Sequence, residues 1–138
     1  MFEKVLIAID GSPHAARALE AGRDLISLSG GEAKVVHVRE ATVYTRTGAL
    51  PDENRDEAQK ILDDALAALK AGAVTATGNL RTALTGHVAT EILDEANEWG
   101  ASVIVLASRG LTDLAGLVIG STTHKVLHLG HIPVLVVR

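Results

Sequence analysis

The sequence predicts an α/β protein with an open, doubly wound, Rossmann-like sheet of five parallel strands and helices on both faces, in one domain over residues 1–138. Three observations predict this fold. The apolar residues occur in short continuous runs, which are typical of parallel strands that are covered on both faces. Segments of helical periodicity alternate with these runs. Hydrophobic residues make up 47% of the chain and aromatic residues only 2%, which favours helices on a Val- and Ile-rich sheet over an aromatic-packed β-sandwich.

Five strands are predicted in chain order. Four are continuous apolar runs at 4–9, 33–38, 101–107 and 133–137, and a fifth, weaker run within 74–84 alternates as a strand at a sheet edge does. Residues 40–56 contain Gly, Pro and a cluster of charges, and they are predicted to form the one long irregular connection, a candidate flap.

Four amphipathic helices are predicted between the strands. Ser12 before Pro13 predicts an N-cap and first position for helix one, while Gly30 and Gly100 predict the ends of helices one and three. The acidic run of Asp52, Glu53, Asp56 and Glu57 suits the start of helix two. The predicted apolar stripes are Ala15, Ala18, Leu19, Gly22 and Ile26; Ala58, Ile61, Leu62, Ala65 and Leu69; Val88, Ile92, Ala96 and Trp99; and Thr123, Val126, Leu127 and Gly130.

Composition excludes several classes of function. The chain has no cysteine, so disulfides, thiol catalysis and Cys-based metal sites are excluded. A formal net charge of −4 argues against a nucleic-acid surface. No apolar run approaches the roughly 20 residues of a membrane span, and the N-terminus lacks the basic region of a signal peptide. We therefore expect a cytoplasmic protein that binds neither nucleic acid nor membrane.

The candidate ligand site lies at the carboxyl edge of the sheet, where doubly wound folds bind ligands. Asp10 follows strand one, Val38 ends strand two, and residues 106–110 lead out of the strand at 101–107. Asp10 with Gly11 is either a simple turn or a carboxylate placed for ribose hydroxyls. Gly120, Ser121 and Thr122 stand at a helix start, where free N–H groups and hydroxyls suit an anion. Neither a Walker A loop nor a G-x-G-x-x-G fingerprint is present.

Long stretches of the chain resemble the universal stress protein family: VLIAIDGSPHAARALEAG, VVHV and SVIVLASRGLTDLAGLVIGSTTHKVLHLGHIPVLVVR. The nucleotide-binding branch of that family carries G-x2-G-x9-G-[ST]. On this chain its second glycine is Gly110, its third is Gly120 and its hydroxyl is Ser121, but Ala107 replaces the first glycine.

The resemblance implies an adenine nucleotide alpha hydrolase-like fold and ATP, with or without Mg²⁺, as the ligand. It also implies that Asp10 holds the ribose and the backbone of Val38 reads the adenine edge. If position 107 needs a positive φ, its alanine costs about 1–2 kcal/mol, or roughly 5- to 30-fold in affinity. If the backbone there is extended, only a clash with the ligand would matter. Arg109 either pairs with a phosphate or faces solvent.

Other kinds of site are less well supported. His124 and His128 share a helical face and His131 follows, but no third ligand is placed, so a metal site is not predicted. Ser12, Ser108 and Ser121 lie near the candidate site without the His and carboxylate pattern of a triad, so no catalytic residue is assigned. At most, slow hydrolysis of ATP is conceivable.

Two functions are carried forward from the sequence. One is an ATP-binding regulatory module that supports stress tolerance through nucleotide-dependent conformation and an unknown protein partner. The other is a nucleotide-free dimeric scaffold, as the resemblance implies for family members without the glycine signature. In both, residues 133–137 would form an exposed apolar edge that a homodimer covers.

Overall fold

A computed structural model of the chain describes residues 1–44, 48–51, 54–108 and 119–138. The predicted α/β class and the alternation of strands and helices are confirmed. Among the described residues no helix is both long and apolar enough to cross a bilayer. The elements are β1 (Lys4–Ile9), α1 (Ala15–Ser29), β2 (Glu32–Tyr44), β3 (Gly48–Pro51), α2 (Arg55–Ala71), β4 (Ala76–Leu84), α3 (Val88–Trp99), β5 (Val103–Ala107), α4 (Ser121–Leu129) and β6 (Val134–Val137).

The sheet has the predicted doubly wound topology. Five strands are parallel in the order β4-β2-β1-β5-β6, and β3 adds an antiparallel pairing to the far end of β2. The chain winds outward from β1 through β2 and β4 on one side and through β5 and β6 on the other. The winding therefore reverses between β1 and β5, which is where such a sheet opens a crevice for ligands.

The two faces of the sheet carry separate apolar cores. Alternate residues of β1, such as Val5 and Ile7, pack with α1 and α2, while Leu6 and Ala8 pack with α3 and α4. The central strands are therefore buried on both faces, which explains their continuous apolar runs. Burial of each large aliphatic side chain contributes about 1.5–3 kcal/mol.

The start of α1 differs from the prediction, and its N-cap at Ser12 is wrong. The helix begins at Ala15 after His14, which makes no side-chain cap. The backbone N–H of Ser12 donates to Asp10 Oδ1 at 3.0 Å, and the Ser12 carbonyl accepts from the N–H of Ala15. These two bonds place Ser12 in a turn before the helix, and its buried hydroxyl has no hydrogen-bond partner among the described residues. The predicted ends of α1 and α3 are confirmed, with Gly30 and Gly100 at φ 70° and 75°.

The expectation of an irregular connection at 40–56 is wrong for residues 40–44 and 48–51, which form strands, while residues 45–47 and 52–53 lie outside the described residues. β2 continues to Tyr44 and pairs with β3 as a hairpin, with Gly48 at φ 85°. The Thr, Val and Tyr residues at 42–44 favour an extended strand, a signal that the charges nearby obscured.

α2 begins at Arg55, close to the predicted start. The Asn54 side chain caps the helix by accepting from the N–H of Glu57 at 2.8 Å. Asp56 and Glu57 lie in its first turn, as predicted. Asp52 and Glu53 lie outside the described residues.

The stripe predicted for α4 is only partly correct. Thr123 and Val126 are buried, but Leu127 is 43% exposed. α4 packs mainly against α3, which leaves much of its circumference uncovered. Leu129 is exposed as well, and Leu135 of β6 is 37% exposed.

Candidate functional site

The carboxyl ends of β1 and β5 come together at the point where the winding reverses. Ile7 of β1 pairs with Val105 of β5. Two residues further along the same register, β1 ends at Ile9 and β5 ends at Ala107. Asp10 and Ser108 follow these ends, so the structure brings together the two segments that the sequence singled out.

The start of α4 is tied to the end of β5. The Ser108 carbonyl accepts from the N–H of Gly120 at 2.7 Å, and the Ala107 carbonyl accepts from the buried Thr123 hydroxyl at 2.9 Å. The N–H of Ser108 in turn donates to Val137 O of β6 at 2.7 Å. These bonds hold the N-terminus of α4 against the carboxyl edge of the sheet.

This helix N-terminus has the features of an anion site. The first backbone bond within the helix joins the His124 N–H to the Gly120 carbonyl at 2.9 Å, so the N–H groups of Ser121 and Thr122 have no acceptor inside the helix. The first turn of α4 contains no acidic residue that would offset the positive end of the helix dipole. Gly120 has φ −55° and ψ 152°, which any residue adopts. A glycine is therefore not needed here for its backbone conformation, but its lack of a side chain leaves room at the helix N-terminus.

Asp10 is held in the tight turn that leads from β1 to α1. Its Oδ1 accepts the Ser12 N–H, and a carboxylate so engaged still has acceptor capacity for a ligand. Gly11 has φ 78°, and a Cβ there would lie 2.8 Å from Ile61 Cδ1, so the turn requires glycine. The interpretation of Asp10 and Gly11 as a simple turn is therefore correct for the backbone. The same turn places the Asp10 carboxylate at the carboxyl edge of the sheet.

Val38 does not end its strand, and that prediction is wrong. β2 runs six residues further, and Val38 is buried and paired with Arg81 of β4. The β1 pairing, however, stops at Ile9 and His37. Val38 is therefore the first residue of β2 beyond the end of β1, level with the candidate site.

Ala107 lies in an extended strand. As the last residue of β5 it pairs with Val137 of β6, and the non-glycine residues with positive φ in the described ranges are Phe2 and Ala73. The alanine therefore carries no left-handed backbone penalty. Arg109 and Gly110, which the sequence also assigned to this site, lie outside the described residues.

Two polar residues near this site were not predicted from the sequence to contribute to it. Thr123 was counted only as part of an apolar stripe, although its hydroxyl joins α4 to β5. His37 was not assigned to the site, and its Nδ1 lies 2.9 Å from Ile9 O at the end of β1. The signal for His37 was a polar residue on the strand face that Ala33 and Val35 share.

The histidines of α4 stack on each other. The ring centroids of His124 and His128 are 6.2 Å apart and their planes differ by 4°. Within the ranges that the structure describes, no three His, Asp or Glu residues group as a metal site would require.

A second polar cluster lies under α3, and its Arg81 is the β4 neighbour of Val38. Glu95 is 2% exposed, and its carboxylate accepts from Lys34, from Asn79 Nδ2 at 2.7 Å and from Arg81 Nη1 at 2.8 Å. Burial raises the pKa of Glu95, but hydrogen bonds from these three side chains outweigh it and hold the pKa below its usual range. Arg81 also binds Glu91 through Nε at 2.7 Å. Burial lowers the pKa of Arg81, and its bonds to the two glutamates leave it raised.

Comparisons with known proteins agree on one family. The model of the universal stress protein family matches residues 1–138. The chain is 40% identical to a universal stress protein of Bacillus subtilis, YxiE, over the whole length of both. It superposes on a universal stress protein of Archaeoglobus fulgidus with TM-score 0.80 at 24% identity, covering all of both chains. An Archaeoglobus fulgidus universal stress protein in complex with dAMP gives TM-score 0.77 at 23% identity over the same full lengths.

Proposed function

Because the chain belongs to the universal stress protein family, we propose that it binds ATP and acts as a nucleotide-responsive regulatory module in stress tolerance. The observation that carries the proposal is the start of α4, which is tied to the end of β5 with the N–H groups of Ser121 and Thr122 directed out of the helix. Such an end suits a phosphate group. The similar protein that binds dAMP supports an adenine nucleotide as the ligand.

The residues of the site fit the parts of ATP. Gly120, Ser121 and Thr122 would receive the phosphates, with any Mg²⁺ bound through the phosphates themselves. Asp10 would accept bonds from the ribose hydroxyls, and the backbone of Val38 would meet the adenine edge. Ala107 would lie beside the ligand, where its methyl group is the one difference from the glycine of the signature. Arg109 and Gly110 belong to the segment between β5 and α4.

Binding of ATP would act on partners through α4, because the phosphates would lie at the N-terminus of this helix. The side of α4 that faces away from the core carries the exposed Leu127 and Leu129. A ligand bound at the start of α4 would therefore change the surface that this helix presents to another protein. No group here is assigned to catalysis.

The test is whether ATP stabilises the native protein. A ligand that binds only the native state at 100 times its Kd adds about 2.7 kcal/mol to the free energy of unfolding. We expect a clear rise in Tm with millimolar ATP and Mg²⁺, and adenine in the protein as purified. One Trp and one Tyr make the absorbance ratio sensitive to bound adenine. An unchanged Tm and a nucleotide-free preparation would contradict the proposal.

The alternative is a nucleotide-free dimeric scaffold, which Ala107 at the first signature position favours. Both functions include a homodimer through β6, because β6 pairs only with β5 in the described sheet and Leu135 is 37% exposed. We expect light scattering to give a dimer at micromolar concentration, and Leu135→Glu to give a monomer. A parent protein that is monomeric would contradict the homodimer in both proposed functions.

A further inference from the structure

His37 occupies an unusual place in the sheet. It is 2% exposed and lies on the face of β2 that Ala33 and Val35 share, under α1 and α2. The pairing of β1 with β2 ends with Ile9 opposite His37. At this last pair, the His37 side chain reaches Ile9 O, with Nδ1 at 2.9 Å. Because a carbonyl oxygen only accepts, Nδ1 carries the proton.

The bond acts on the peptide that leads to Asp10. Ile9 O belongs to the planar peptide between Ile9 and Asp10, so a bond to this oxygen restrains the rotation of the whole peptide plane. That rotation sets the direction in which the Asp10 side chain leaves the backbone. The carboxylate is restrained a second time by the N–H of Ser12 at 3.0 Å.

The two restraints connect Asp10 to different parts of the fold. The bond from Ser12 is local to the turn and would move with it. The bond from His37 joins Asp10 to β2 at the residue directly before Val38. It therefore sets the distance between the carboxylate expected at the ribose and the backbone expected at the adenine.

We propose that His37 is a positioning residue for the nucleoside half of the ligand, acting through its bond to Ile9 O. This inference rests on the proposed ATP binding and adds to it a residue that does not itself touch the nucleotide. It explains why a buried polar side chain occupies the apolar face of β2 that Ala33 and Val35 share, at the level where β1 ends.

The test compares ATP with 2′,3′-dideoxy-ATP, which lacks both hydroxyls that Asp10 would bind. A hydrogen bond to a charged carboxylate corresponds to about 10- to 100-fold in affinity, so the parent protein should prefer ATP by about that factor. His37→Leu removes the donor and keeps apolar volume, and it should reduce the preference to less than about threefold. Affinity for dideoxy-ATP itself should change little, because the phosphate contacts remain.

Two control variants separate positioning from general loss of stability. Val35→Ala weakens the same core face without touching Ile9 O, and it should keep the parent preference for ATP. His37→Asn places an amide N–H where Nδ1 was, and it should restore most of the preference.

The outcomes are distinguishable. A parent protein that binds no nucleotide overturns the proposed function and, with it, any positioning by His37. A parent that prefers ATP, together with a His37→Leu variant that keeps this preference, overturns the role of His37 alone. If His37→Leu does not fold, ¹⁵N NMR of the parent and the ATP preference of His37→Asn decide the question. A His37 whose Nδ1 carries no proton, or a His37→Asn variant without the preference, overturns the proposal.

Discussion

The polar cluster under α3 and the candidate site at the sheet edge use polar groups in opposite ways. Under α3, Glu95 bonds with side chains from β2 and β4, and all its partners belong to the fold. At the edge, the N–H groups of Ser121 and Thr122 stand at the open end of a helix, beyond the reach of its own carbonyls. Polar groups that satisfy one another hold elements together, whereas polar groups at an open helix end are available to a ligand.

The two regions also differ in which atoms they use. The cluster relies on long charged side chains in the middle of regular elements, so substitution of one side chain removes it. The site relies mostly on backbone atoms at element ends, which substitution changes only by adding bulk or by altering conformation. Substitutions in the cluster should therefore mainly change the free energy of unfolding, and substitutions in the site should mainly change nucleotide affinity.

The largest expected effect is on stability, from Glu95→Leu. Removing one partner of a buried charge network costs about 3–5 kcal/mol. We expect the lower end, because the side chains of Lys34 and Arg81 keep 20% and 18% of their surface in water. Urea unfolding of parent and variant measures the loss.

Glu98→Leu is the matched control on the same helix. Glu98 is 69% exposed and reaches Arg81 only at 3.5 Å, so this substitution should change stability by less than about 0.5 kcal/mol. Equal losses of stability in the two variants would contradict a special role of Glu95. Loss of ATP binding by folded Glu95→Leu protein would show that the cluster also supports the site.

The next effect is on binding, from Gly120→Val combined with Ser121→Ala. Valine adds bulk where the phosphates would approach, and its backbone is tolerated because Gly120 has φ −55°. The alanine removes a hydroxyl donor to a charged group, which alone corresponds to about 10-fold or more in affinity. Calorimetric titration with ATP should show this loss, while unfolding in urea stays within about 1 kcal/mol of the parent.

Ser27→Ala provides the comparison for that variant. In the part of the chain that the structure describes, its exposed hydroxyl donates to Arg23 O within α1, so ATP affinity should not change. Full affinity in the double variant would place the phosphates elsewhere.

A smaller effect is expected on the free energy of unfolding at acidic pH, and it should arise in the cluster and not in the site. Since the pKa of Glu95 is lowered in the native state, its contribution to stability is present above the unfolded value of about 4.3 and is lost as pH falls through the native value. Below about pH 4.3, the free energy of unfolding should fall more steeply for the parent than for Glu95→Gln, by at most about 1.4 kcal/mol per pH unit. Parallel pH profiles of the two proteins would show that Glu95 keeps its ordinary pKa.

The comparison also shows how far the sequence could predict each region. Periodicity predicted β1 at its observed bounds and placed the Gly120 and Ser121 pair at a helix start, because apolar runs and glycines are local signals. The cluster was not predicted, since Lys34, Arg81 and Glu95 are far apart in the chain and meet only when α3 packs on β2 and β4. Charged residues in such positions look like solvated surface until the packing is known.

Errors at the site have two kinds of cause. Ser12 was predicted to cap α1 from the pattern of Ser before Pro, but the chain makes a turn at 13–14 and the helix begins only at Ala15. β2 was ended at Val38 because its apolar run stops there, but pairing with β3 and β4 extends the strand through polar residues. For β2, pairing partners from elsewhere in the chain decided what the local pattern left open.

The smallest expected effect comes from Ala107→Gly, at the one departure from the signature. A left-handed backbone would have made the glycine tighten ATP binding about 5- to 30-fold. Position 107 instead lies in β5 opposite Val137, so no such penalty exists to relieve. We expect less than about a twofold change in ATP affinity and a loss of about 0.5–1 kcal/mol in stability, because glycine weakens a strand interior. A tightening of tenfold would mean that the methyl group itself meets the phosphates, and it would move the ligand closer to β5 than the bonds between β5 and α4 suggest.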